Sequence, residues 1–254
     1  MKIVVIGGTG LIGKKLVDSL SSSGQEVIAA SPASGVNTIT GEGLDEVLKD
    51  AAAVVDVSNS PLFKNQAAME FFETSGHNLL AAGARAGVKH HITLSVVGTD
   101  RLQGSDYFRA KMAQENLVRQ SGIPYSIVHS TQFFEFIGAI ARSGIQGDAI
   151  RMSPAFIQPV ASDDVVEVMA GIIVGKPVNG IIEVAGPERY RLDELVRKYL
   201  AVMNDDHEVI TDIQASYFGV ELDDTSLVPG NDPRIGTVRY EDWIGEPANQ
   251  QLLK

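Results

Sequence analysis

Two groups of residues in this chain have types and spacing suited to chemistry. The first is Tyr107-Phe108-Arg109-Ala110-Lys111, where a phenol and an ammonium stand four residues apart. On a helix that spacing puts both on one face. A free tyrosine titrates near about pH 10, too high for efficient proton exchange at neutral pH, and an adjacent ammonium favours the tyrosinate. Ser95, twelve residues upstream at an expected strand end, could hydrogen-bond the same substrate oxygen. Together these side chains suit proton exchange with a carbonyl or an alcohol.

The second group is Gly7-Gly8-Thr9-Gly10-Leu11-Ile12-Gly13, directly after the apolar run Lys2 to Ile6. Glycines at 7, 10 and 13 allow a tight turn, close approach of backbone to a pyrophosphate, and close packing of the next helix. A helix opening near Leu11 would offer free N–H groups and its positive dipole end to that phosphate. Dinucleotide contacts are therefore expected at Gly7, Thr9, Gly10, Leu11, Ile12 and Gly13. A P-loop competes for the same residues, since Gly8 to Gly13 is followed by Lys14. The next residue is Lys15, so the hydroxyl that would hold Mg²⁺ is missing.

These groups need a frame that brings strand ends together. Strands are expected at the N-terminus, over Glu26 to Ser31, Ala52 to Ser58, His90 to Ser95 and Pro124 to Ser130. Helices are expected over Leu11 to Ser23, Ala67 to Arg85 and Tyr107 to Gln120. Repeated β-α units with short links imply an α/β fold, a Rossmann-type doubly wound parallel sheet. After about Thr131 the pattern loosens, with a helix from Ser162 to Ile173, a strand from Gly180 to Gly186 and a helix from Leu192 to Met203. The whole of residues 1–254 reads as one dinucleotide-binding domain with a small C-terminal substrate lobe, formed mainly by residues 131–160 and 180–254. The lone Trp243 is placed to pack the tail down.

Composition narrows the classes. With 44% hydrophobic residues and a net charge of −11, the chain suits a soluble globular protein and lacks the basic face of a nucleic-acid binder. It has no cysteine, hence no disulfide framework or thiolate nucleophile. The five histidines lack zinc-type spacing, so no metal is expected. No stretch reaches membrane-spanning length, and a cytoplasmic monomer or homodimer with a small-molecule substrate is the expectation.

The glycine spacing, Tyr107, Lys111, Ala86-Gly87-Val88-Lys89, Ser121-Gly122-Ile123-Pro124-Tyr125, Pro159 to Val165 and Glu183 to Pro187 together resemble the short-chain dehydrogenase/reductase superfamily. The likeness runs from Met1 to about Tyr199. The 7-10-13 spacing and the length resemble its atypical branch, with NmrA-like and NAD(P)H-binding quinone-reductase-like proteins. The resemblance implies Tyr107 as acid/base, Lys111 as the group that lowers its pKa and holds the nicotinamide ribose, and Ser95 as the group orienting the carbonyl. It also implies an alternative, because many NmrA-like relatives bind cofactor as sensors or assembly partners without turnover.

For the cofactor, an NAD site normally carries a carboxylate at the end of the second strand. Here that position is Ser31, followed by Pro32, Ala33 and Ser34, so NADP is favoured over NAD. Ser58 and Asn59, at another strand end, are further candidates for the nucleotide. Gln132, Phe133 and Phe134 follow the strand ending near Ser130 and suggest a flat, apolar or aromatic substrate such as a quinone, with Gln132 as its polar handle.

Overall fold

The computed structural model describes residues 1–61 and 66–253. The opening apolar run forms β1 (Lys2–Ile6), with Ile3 to Ile6 wholly buried. Then come α1 (Leu11–Ser22), β2 (Glu26–Ala30), a short α2 (Leu44–Val47), β3 (Ala53–Asp56) and α3 (Gln66–Ala86). β4 (His90–Val96), α4 (Asp106–Gln120) and β5 (Tyr125–Ser130) complete the regular half. All four residues of β3 are buried, as expected for a strand covered on both faces.

Seven strands make one sheet in the order β12-β9-β5-β4-β3-β1-β2, where β9 is Ile181–Ala185 and β12 is Arg234–Ile235. β1 pairs in parallel with both β2 and β3, and β3 in parallel with β4. The chain leaves β1 toward β2 and then returns to β1's other side for β3. That reversal is the switch point where open α/β sheets bind ligands at strand carboxyl ends.

The chain divides into two compact units. One comprises Met1–Ser95, Asp106–His129 and Val166–Ile182; the other comprises Val96–Ser105, Ser130–Val165 and Glu183–Lys254. The first is centred on an apolar core that includes Val4, Ile6, Leu44, Leu48, Val54, Leu79, Val118 and Ile127. α3 packs against α4, and Gly76 permits the approach: a Cβ there would lie 3.0 Å from Leu117 Cδ1.

The second unit adds small pieces that alternation alone does not reveal. They are α5 (Ile137–Ser143), β6 (Ile145–Gln146), β7 (Ala149–Met152), β8 (Phe156–Ile157) and β10 (Tyr190–Arg191). β11 (Glu208–Thr211) joins β7 and β6 in a three-stranded sheet, while β8 pairs with β10. α6 (Ser162–Val174) begins in this unit, and α7 (Leu192–Met203), α8 (Tyr240–Gly245) and α9 (Pro247–Leu252) belong to it. Asp164, in the first turn of α6, accepts a hydrogen bond from Val238 N at 3.1 Å and fixes the approach of the tail. Trp243 packs as expected: its ring lies 5.5 Å from that of Phe134.

Candidate active site

The glycine loop is built by backbone meeting backbone. Gly7 N and Gly8 N donate to Ala30 O at 3.0 and 3.3 Å, which ties the exit of β1 to that of β2. Gly7 has a positive φ of 78°, a region that suits glycine. A Cβ there would also lie 2.9 Å from Ser58 N, so the loop lies directly against the exit of β3. A Cβ on Gly13 would lie 2.1 Å from Gly7 O, whereas one on Gly10 would come no nearer than 3.4 Å to the same oxygen. Gly7 and Gly13 thus serve packing, and Gly10, which is exposed, keeps the loop's open side bare. Gly10 is also the N-cap of α1, where no side-chain hydrogen bond caps the helix among the described residues, which leaves the first-turn N–H groups without a side-chain acceptor there.

At the end of β2, the Ser34 hydroxyl accepts from Ser31 N at 2.9 Å. The Ser31 hydroxyl is itself buried and has no partner among the described residues. Such an orphan invites a ligand or water. The bare cradle and this orphan hydroxyl are of a chemistry that suits a dinucleotide.

Ser58 and Asn59 lie beyond β3 and do different things. Ser58 donates through N and Oγ to Asp56 Oδ1, at 3.0 and 2.6 Å. Asn59 Oδ1 accepts from the Tyr107 hydroxyl at 3.3 Å and from Ser60 N at 3.0 Å. The phenol is therefore brought from the start of α4 to the carboxyl end of β3. Its ring packs edge-on to Phe72, with centroids 6.3 Å apart.

Three side chains of this face are held by partners that spacing alone did not name. Burial pushes the Tyr107 phenol up to about 12, opposed by the hydrogen bond to Asn59. The Lys111 ammonium, only 3% exposed, donates to Leu94 O at 2.9 Å and to Gln114 Oε1. It also stands 4.5 Å from the Phe72 ring centroid. Ser95 also takes a partner on α4. Its hydroxyl is buried and donates to Glu115 Oε1 at 2.6 Å, a stronger acceptor because it is charged.

Glu115 and Gln114 went unseen in the sequence, yet they organise this face. Glu115 is fully buried and also meets His129 Nε2 at 2.8 Å and Arg119 Nη2 at 2.8 Å. Burial alone would raise its pKa, but His129, Ser95 and Arg119 outweigh burial and hold it down at about 2. Gln114 Nε2 donates to Asp56 Oδ2 at 2.8 Å. The available signal was spacing: positions 111, 114 and 115 share a helix face, and that face points inward.

Gln132, Phe133 and Phe134 belong to the second unit. Gln132 is 7% exposed, and neither polar atom of its amide has a partner among the described residues. Phe133 stacks on Phe136 at 5.6 Å. Phe134 is a correction: it is 1% exposed and its ring lies 5.1 Å from that of Tyr240 as well as against Trp243, so it is core.

Fold and loop together define a Rossmann-type α/β protein of the short-chain dehydrogenase/reductase kind. Residues 1–139, more than half of the sequence, match the NmrA-like family, and the chain belongs to it. Over 144 residues it is 28% identical to a (4-alkanoyl-5-oxo-2,5-dihydrofuran-3-yl)methyl phosphate reductase from Streptomyces griseus. That match covers 52% of this chain and 48% of the relative, so the chain spans about half the length of the curated protein it matches. Among solved structures, a dTDP-glucose 4,6-dehydratase from Streptomyces venezuelae with NAD bound superposes with a TM-score of 0.70 at 16% identity, covering 99% of this chain and 96% of that one. An NADPH-dependent quinone oxidoreductase from Escherichia coli, complexed with NADPH, gives 0.65 at 19% identity, over 83% and 77%. At such identities the likeness is one of fold. No helix among the described residues is long and apolar enough to cross a membrane.

Proposed function

We propose that this chain is an NADP(H)-dependent oxidoreductase that reduces a small carbonyl or a quinone-like aromatic, with Tyr107 as the proton donor. The observation that carries the reading is the bare glycine cradle against the exit of β3, where the next residues bring Asn59 to the Tyr107 hydroxyl. Gly7 to Gly13 would hold the pyrophosphate, and Ser31, Ser34 and Lys14 would take a 2′-phosphate. The bound nucleotide would supply hydride. Tyr107, kept protonated by burial, would give its proton to the developing alkoxide or hydroquinone oxygen, and Asn59 orients the phenol. In the second unit, the orphan amide of Gln132, next to Phe133, is proposed as a polar contact for a ligand.

Replacing Tyr107 with Phe should lower kcat by about 10²–10⁴ while leaving the NADPH Kd within about twofold, since no cofactor contact is assigned to the phenol. The check is steady-state NADPH oxidation against a panel of quinones and aldehydes, beside fluorescence titration of NADPH and NADH. An unchanged rate in Y107F removes Tyr107 from the chemistry, and tenfold tighter binding of NADH removes the NADP assignment.

A second reading, a cofactor-binding sensor or assembly partner without turnover, draws on different observations. The phenol is raised rather than lowered, and Ser95 has its proton on Glu115. That reading expects NADPH binding with no oxidation on any panel member, plus a protein partner recovered by pull-down.

A further inference from the structure

Among the described residues, the three hydrogens of the Lys111 ammonium meet uncharged groups: the Leu94 carbonyl, the Gln114 amide oxygen and the face of Phe72. A carboxylate stands one residue further along the chain of contacts. Asp56 Oδ2 accepts from Gln114 Nε2 at 2.8 Å, and Asp56 Oδ1 accepts from Ser58 N, the atom against which Gly7 packs. Lys111, Gln114 and Asp56 are all at most 3% exposed. The amide has one workable orientation. Flipped, it would set its NH₂ against the ammonium and its oxygen against the carboxylate.

We propose that Gln114 is a positioning residue that insulates the Lys111 ammonium from the Asp56 carboxylate, keeping it on neutral acceptors from which the nucleotide ribose can draw it. A direct buried pair would bind the ammonium far more tightly, because the attraction between charges grows as the local dielectric falls. Neutral acceptors satisfy its donors without that lock. The inference rests on the assignment of the glycine cradle to a dinucleotide only for the last step, the release of Lys111 toward ribose.

The charges acting on Lys111 are Asp56 from β3 and Glu115 from its own helix. Both favour the ammonium, but burial outweighs them and brings it down to about 8. His91 of β4 faces the same carboxylate, Asp56. Because the folded value lies below the unfolded 10.5, the unfolded chain binds more protons between pH 8 and 10.5. Stability attributable to Lys111 therefore rises with pH through that window and is lost as pH falls through about 8.

The test uses Gln114→Glu and a charge-conserving swap, Asp56→Asn with Gln114→Glu, which moves one carboxylate from behind the amide onto the ammonium. Urea midpoints of the nucleotide-free protein are measured from pH 7.5 to 10.5, with Lys111→Met as reference. The expected result is a rise with pH in the wild type that is absent in Q114E, in the swap and in K111M. The swap covers the case in which Q114E alone fails to fold. NADPH titration of the swap should show at least tenfold weaker binding than the wild type. A wild-type rise in the swap overturns the proposal, as does unchanged NADPH affinity. Failure of the wild type to bind NADPH overturns the dinucleotide reading instead, and the pH profile of the swap still decides the insulation.

Discussion

The loop joining β1 to α1 and the inner face of α4 are held in opposite ways. In the loop, backbone meets backbone: Gly7 against Ser58, Gly13 against Gly7. On α4, side chains meet side chains: Lys111 with Gln114, Gln114 with Asp56, Glu115 with Ser95 and His129. A backbone contact admits only glycine, so the residue type announces the geometry. A lysine or a glutamine has several rotatable bonds and chooses among acceptors, so its type announces only what it can bond, not which partner it takes.

The largest effect expected from that contrast is on α4. Replacing Glu115 with Ala leaves His129, Ser95 and the guanidinium of Arg119 without their shared acceptor. Loss of one member of a buried charged cluster typically costs about 3–5 kcal/mol, and urea denaturation would measure it. A loss under about 1 kcal/mol would mean that the cluster rearranges without strain.

The loop comes next. Gly13→Ala forces a methyl group to within 2.1 Å of Gly7 O, and overpacking of this kind costs about 1–3 kcal/mol or more. Gly10→Ala is the control, because its methyl would meet nothing closer than 3.4 Å. Its stability should stay within about 0.5–1 kcal/mol of the wild type, while NADPH binding weakens at least tenfold if the loop holds a pyrophosphate as proposed. Equal stability of the two variants would erase the distinction between the packing glycines and the open one.

A smaller effect, tuned by pH, concerns β4, which lies between the two regions in sequence. Burial pulls both His90 and His91 from 6.5 down to about 4. The folded protein keeps these imidazoles neutral, so the unfolded chain binds more protons between pH 6.5 and 4. Stability is complete above about 6.5 and is lost as pH falls through about 4, by at most about 1.4 kcal/mol per pH unit for each ring. His90 Nε2 pairs with Ser126 Oγ at 2.8 Å while its Nδ1 has no partner among the described residues. His90→Gln should therefore flatten the acid limb of the stability profile, read from urea midpoints at pH 4 to 7.

The same contrast explains what could be read beforehand. Strands β1, β3 and β4 and helices α1, α3 and α4 were legible because runs of buried apolar residues alternate with turn-forming glycines on a regular period. The tight turn at Gly7 to Gly13 was legible for the steric reason already given. The partners of Lys111, Leu94 and Gln114, were not, because helical spacing places two side chains on one face without saying whether that face meets solvent or core. Phe134 was misplaced for the same reason: an aromatic after a strand reads alike whether it faces a substrate or Tyr240. The short strands β6, β7 and β8 escaped because two to four residues carry too little periodicity to register.

Phe134 lies against Trp243, the chain's only tryptophan. That indole is 6% exposed and belongs to the second unit. The protein therefore carries an optical label on one half. Excitation at the red edge of the absorption band addresses residues around α8, whereas far-ultraviolet dichroism sums over every helix. Any gap between the two melting curves would resolve the order in which the halves come apart, with no dye attached.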